Sequence, residues 1–130
     1  ALVYNPSNIG ALNNYAYYLS VERRELDKAE EMSFKTVKAE PKNSTYLDTY
    51  AWILFEKGNY AEARIYIDEA LKNGGEQSDV IVEHSGDIYY MTGDVENALK
   101  FWKKALEMGS KSATIKKKIE QKKYITEWKD

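Results

Sequence analysis

Between Ser44 and Gly74 the chain reads STYLDTYAWILFEKGNYAEARIYIDEALKNG, and modified copies of this stretch lie on both sides of it. Within it, Leu47, Tyr50, Ala51 and Leu54 follow the three-then-four spacing of a helix with one buried stripe. Gly58-Asn59 interrupts that helix, and Asn59 is expected to cap a second one, with Glu62 three residues on able to reach back as in a capping box. The second helix would bury Ala63, Ile67, Ala70 and Leu71. Such a pair cannot cover both of its apolar faces alone, so a chain built from copies of it is constrained to stack them.

Shifted forward by 35 residues, the pattern places Val82, Ser85, Gly86 and Tyr89 on a first helix, Gly93-Asp94 on the turn, and Ala98, Trp102, Ala105 and Leu106 on a second. Shifted back, it places Leu12, Tyr15, Ala16 and Leu19 on a first helix. Ala29, Thr36, Val37 and Pro41 then fall on the second helix and its end, with one extra residue in the turn Val21–Leu26. The column near the end of the second helix reads Ala1, Thr36, Ala70 and Ala105, at spacings of 35, 34 and 35. Small residues recurring in register mark places where helices approach closely.

These residues resemble the tetratricopeptide repeat family, whose pattern runs W-x2-L-G-x2-Y, then a small residue in the second helix, then an aromatic, Ala and Pro. The resemblance covers nearly all of residues 1–112, with Gly58 and Gly93 at the turns and Ala63 and Ala98 at the close helix crossings. Pentatricopeptide repeats share the 35-residue period. The first copy departs from the pattern at Ser33 and Thr36, with Met32 able to fill the space, and Gly75 and Ser110 stand where the later copies would carry Pro. The resemblance implies an all-α fold, a right-handed α-solenoid of three helix-turn-helix repeats over residues 9–43, 44–78 and 79–112. Residues 1–8 are expected to end a preceding repeat, so that the chain is a piece of a longer array, and 113–130 to form a lysine-rich capping helix. In the first repeat the helices are placed near 9–21 and 26–39, the second stopped by Pro41. The wording of the repeats is similar to the C-terminal repeats of longer bacterial proteins, many of which act at the cell envelope. Its localisation remains open between the periplasmic side and the cytoplasm.

An apolar content of 43% suffices for one continuous core if the units stack. Without cysteine there is neither a disulfide framework nor a thiolate nucleophile or metal site. No run of 18 apolar residues is present. The net charge of −2 hides an asymmetry: from Lys111 onward seven basic residues face three acidic ones, against 12 basic and 18 acidic over residues 1–110. Ile115 and Ile119 continue a helical stripe there, with Tyr124, Ile125 and Trp128 beyond. This end reads as a cap that shows its lysines to water. Its alternatives are binding to nucleic acid or an anionic surface through Lys111–Lys129, and an intramolecular contact with the acidic body. Without Arg it lacks base-reading chemistry, and nucleic acid is the less favoured partner.

Nothing in the sequence assembles a catalytic constellation, and no cofactor is expected. His84 is the single histidine; its neighbour Ser85 points about 100° away on a helix and toward the core, which is no triad geometry. One histidine without a ligand pair does not hold a metal.

In the family the first helices line a concave groove, and the residues one step round from the core stripe face a ligand. The corresponding residues here are Asn13, Asn14, Tyr17, Ser20 and Val21, then Asp48, Thr49, Trp52, Phe55 and Glu56, then Glu83, His84, Asp87, Tyr90 and Met91. Aromatic anchors flanked by carboxylates suit a peptide or protein with apolar and basic residues, although Tyr17, Phe55 and Tyr90 could instead pack between repeats. One subgroup of the family clamps chaperone tails with Lys, Asn and Arg on a terminal carboxylate. Asn13, Tyr17, Thr49, Val80 and His84 stand at the matching positions and supply no such basic pair. Weak self-association is expected through the N-terminal edge, where Ala11, Tyr15 and Tyr18 would lack an upstream neighbour.

Overall fold

A computed structural model of the chain describes residues 8–125, which form seven α-helices and one short 3₁₀ turn; among these residues there is no strand. The helices are α1 (Ile9–Val21), α2 (Leu26–Ala39), α3 (Ser44–Glu56), α4 (Tyr60–Lys72), α5 (Asp79–Met91), α6 (Val95–Glu107) and α7 (Ile115–Gln121), with the 3₁₀ turn at Gly75–Gln77. Residues 1–7, with the expected remnant of a preceding repeat, and Trp128 lie outside the described residues.

Each odd-numbered helix up to α5 pairs with the next, and α1 also packs on α3 and α3 on α5, so the three first helices form one face of a helical solenoid. Asn8, Asn43 and Ser78 cap α1, α3 and α5, each accepting from the backbone N–H three residues on. Asp94 caps α6 through the Asn97 N–H. Asn59 stands at the start of α4 but makes no side-chain cap, contrary to expectation. Gly58 and Gly93 adopt φ of +87° and +91°, and the N–H of the residue after each glycine turns back onto the preceding helix, Asn59 to Leu54 and Asp94 to Tyr89. The first turn has no glycine, and Arg23 and Glu25 take the left-handed conformation instead.

Most of the repeated columns are buried as expected: Leu12, Ala16 and Leu19 with Ala29 and Met32; Leu47, Tyr50, Ala51 and Leu54 with Ala63, Ile67 and Ala70; Val82 with Ala98, Trp102 and Ala105. Leu71, expected to be buried, is only half-buried at the edge of the core, as are Tyr15, Tyr89 and Leu106. Gly86 permits the closest crossing, since a Cβ built there would lie 2.5 Å from Trp102 Nε1 and 3.1 Å from the Ala98 carbonyl oxygen. Ser33 is fully buried with its hydroxyl unpartnered, and Met32 fills the neighbouring space.

The C-terminal end differs from expectation in two ways. The capping helix does not run over 113–130: α7 stops at Gln121, where Lys122 turns left-handed (φ 55°) and the Lys123 N–H bonds back to the Lys118 carbonyl. Its lysines are not all shown to water. Lys116 and Lys117 are exposed, but Lys118 shares the inward face of Ile115, three residues earlier, and is only 3% exposed.

Candidate functional site

The groove begins with three rings. Trp52 of α3 stacks on His84 of α5, with centroids 4.0 Å apart and planes 17° from parallel, and on Phe55, one turn along α3, at 4.5 Å and 15°. The i, i+3 spacing puts Trp52 and Phe55 on one helix face, and the α3–α5 packing brings His84 to meet them. His84 Nδ1 lies 2.8 Å from Asp48 Oδ1. Burial alone would lower the His84 pKa, but Asp48 outweighs it, helped by Asp87 and Glu83, and holds the imidazole above its usual value. With the proton on Nδ1, the ring donates to Asp48 Oδ1.

A buried ionic cluster adjoins the stack. Lys118 of α7 places its ammonium 2.8 Å from Glu83 Oε2 and 2.9 Å from Asp87 Oδ1, both on α5. Asp87 Oδ1 also accepts from Trp102 Nε1 at 3.0 Å, and Glu83 Oε1 from the Ser110 hydroxyl at 3.0 Å. Burial pushes Asp87 up to about 6 despite its cationic neighbours. Glu83 goes the other way, because Lys118 and the Ser112 and Ser110 hydroxyls overcome its burial. For Lys118 the two carboxylates outweigh burial and keep the ammonium charged. At the other end, Arg23 crosses from the first turn to Glu56, Nε to Oε2 at 2.8 Å.

Between these groups lies a cavity of ≈ 250 Å³. Tyr17, Val21 and Arg23 line it from the α1 side, Trp52 and Glu56 from α3, Val80, Glu83, His84 and Asp87 from α5, and Ser112, Lys118, Tyr124 and Ile125 from the C-terminal segment. Tyr124 meets Phe55 edge-on at 5.3 Å, and Lys118 Nζ lies 5.3 Å from the Tyr124 ring centroid.

All fifteen residues expected to face a ligand, Asn13, Asn14, Tyr17, Ser20, Val21, Asp48, Thr49, Trp52, Phe55, Glu56, Glu83, His84, Asp87, Tyr90 and Met91, stand on α1, α3 and α5. Seven of them, Tyr17, Val21, Trp52, Glu56, Glu83, His84 and Asp87, reach the cavity wall. A solvent-open row is not what forms. Asn13, Asp48, Phe55, Glu83, His84 and Asp87 are buried, because the acids pair with His84 and Lys118 while Phe55 lies between Trp52, Tyr60 and Tyr124. Tyr90 packs on Trp102, Met91 leans on the central core, and Asn14 is exposed away from the cavity. Asn13 keeps a buried, unpartnered side-chain oxygen. The sequence reading named Val80 at a groove position but did not place Arg23, Ser112, Lys118, Tyr124 or Ile125 in the wall. For Lys118 a signal existed in its i+3 relation to Ile115.

Comparison with solved structures bears on the architecture. The first TPR domain of Spaghetti (RPAP3), bound to the HSP90 peptide SRMEEVD, is 15% identical and superposes with a TM-score of 0.78, over 94% of this chain and 95% of that one. The chain has the tetratricopeptide repeat fold. A thermophilic TPR protein of Thermus thermophilus is similar at 17% identity and a TM-score of 0.72, over 91% of this chain and 65% of its own. The Yersinia enterocolitica type III secretion translocator chaperone SycD is similar at 11% and 0.70, over 92% and 81%. No protein-family model matches the sequence, and no curated protein does. Within this tetratricopeptide fold, no described helix is long and apolar enough to cross a membrane, and no described group of side chains is arranged to hold a metal.

Proposed function

We propose that the chain is a non-catalytic protein-interaction module that holds a polypeptide segment on the face formed by α1, α3 and α5. The observation that carries this reading is the His84–Trp52–Phe55 stack opening onto a cavity bordered by Glu56, Glu83 and Asp87. Trp52, the half-buried ring of the stack, offers a partner contact area at small conformational cost, with His84 and Phe55 buried on either side to hold it. The carboxylates are paired with Arg23 and Lys118, so a ligand bearing Lys or Arg beside its apolar anchors gains from them by competing with those two cations. The neighbouring RPAP3 domain is described with an acidic peptide, SRMEEVD. In this groove, among the described residues, three wall carboxylates face only two cations, Arg23 and Lys118, both already paired, so no free basic clamp offers itself to such a ligand. The exposed lysines Lys116, Lys117, Lys122 and Lys123 solvate the end of the solenoid.

Selection of random peptides on the intact chain tests the reading. Enrichment of sequences that combine a basic residue with an aromatic one supports it. Enrichment of acidic C-terminal sequences, or of sequences that bind equally well when Trp52 is replaced by Ala in a folded chain, would overturn it.

A further inference from the structure

The C-terminal segment supplies the groove with the same two side-chain types that the proposed ligand would bring. Lys118 enters from α7 and is enclosed between Glu83 and Asp87 at 2.8 and 2.9 Å. The left-handed turn at Lys122 then reverses the chain, so that Tyr124 lies against Phe55 and packs on both the central and the last core clusters. Tyr124 and Lys118 also meet each other, ammonium to ring at 5.3 Å. Ile125 completes this side of the cavity. A plain capping helix would need only Ile115 and Ile119 to cover the end of the last repeat. Neither the inward lysine nor the return of the chain toward α3 is required for that task.

We propose that the groove is a receptor for a basic side chain followed on the same segment by an aromatic one, and that the chain's own C-terminal segment, through Lys118 and Tyr124, fills it in cis as a competing pseudo-ligand. The proposal rests on the groove reading above and names the chemistry of its occupant. A partner of the same chemistry must displace the segment around Tyr124. A segment tethered this closely is present at an effective concentration in the millimolar range, so if its own intrinsic Kd for the groove is about 0.1 mM, any external peptide competing for the same site is weakened about tenfold or more.

The test uses the full chain and, as probe, a labelled synthetic peptide of residues 122–130, KKYITEWKD. Parent, Tyr124→Ala and Ile125→Asp are titrated by fluorescence anisotropy, with helical content followed by circular dichroism. Ile125→Asp sets a new carboxylate facing the acidic wall while Lys118 stays between Glu83 and Asp87, so, like Tyr124→Ala, it releases the aromatic half of the occupancy, and it serves if Tyr124→Ala fails to fold. The expected result is binding about tenfold or more tighter in the folded variants than in the parent, and lost from a variant that also carries Trp52→Ala. Equal binding by parent and folded variants, or none by any of them, would overturn cis occupancy. The groove reading fails separately, if peptides selected on the parent bind the Trp52→Ala chain with undiminished affinity.

Discussion

Replacing Lys118 by Met removes the ammonium that bonds both Glu83 and Asp87 while keeping an unbranched side chain of similar length in the same space. The lysine is 3% exposed and its ammonium makes two contacts, at 2.8 and 2.9 Å. Each charge-assisted hydrogen bond contributes about 1.5–3 kcal/mol, and removing one member of a buried ion pair costs about 3–5 kcal/mol because the other charge stays buried. The penalty depends on pH. Without Lys118 the two carboxylates bind protons more tightly folded than unfolded, so the variant recovers stability relative to the parent as pH falls. At pH 5 the cost should shrink toward about 1–3 kcal/mol, that of neutral groups left without partners. Urea unfolding at pH 7.5 and pH 5 reads this directly. With a slope of about 2 kcal/mol/M, the midpoint at pH 7.5 falls by about 2 M. Lys117→Met, its exposed neighbour, is the control and should stay within about 0.5 kcal/mol of the parent. If Lys118→Met behaves like Lys117→Met at both pH values, Lys118 is a solvated lysine and the ionic cluster does not exist.

Gly86→Ala should destabilise by about 1–3 kcal/mol by pushing the Trp102 ring off Asp87, more than its gain in helix propensity returns; a chemical-denaturation midpoint at or above the parent's would contradict the close crossing. Ala63→Leu and Ala98→Leu, both at fully buried positions, should each cost about 1–3 kcal/mol by overpacking, and unchanged melting curves for both would place the repeat register elsewhere. The His84 imidazole should titrate above the ordinary histidine value of about 6.5 in proton NMR, and Asp48→Asn should lower its midpoint. Because the folded value is raised, the stability that this pair contributes is complete below the unfolded pKa near 6.5 and is lost as pH rises through the folded value. A midpoint below the ordinary histidine value in the parent would contradict the Asp48 contact.

The helix pairs were legible because their signals are local. Columns three and four residues apart and glycines at two of the three turns specify where each helix runs and which face it buries, and α1, α2 and α3 fall where those columns place them. The assignment of groove residues to α1, α3 and α5 followed from the same register. Their burial was not legible, since it depends on contacts distant in sequence. Glu83 meets Lys118 35 residues later and His84 meets Asp48 36 residues earlier. A lysine in a charged terminal run is read as solvated on composition, and only its spacing from Ile115 argues otherwise. Asp48 shows the consequence for design: it reads as a surface carboxylate suited to charge reversal, yet it is 5% exposed and bonded to His84, so a lysine there would disturb the fold together with the groove. Arg23 was missed because a non-glycine residue in the left-handed conformation leaves no recognisable turn signature.

The central claim is that Trp52 anchors a bound polypeptide on the α1–α3–α5 face. Its most direct test is calorimetric titration of a peptide selected on the parent against both parent and Trp52→Ala, at low and at moderate salt. Loss of about 2 kcal/mol or more in the variant, close to thirtyfold in Kd, with helical content unchanged and with parent affinity falling modestly as salt rises, is the predicted result. Equal affinity for both chains at both salt concentrations, with the fold intact, would contradict it and move the binding surface to the outer helices or the exposed lysines.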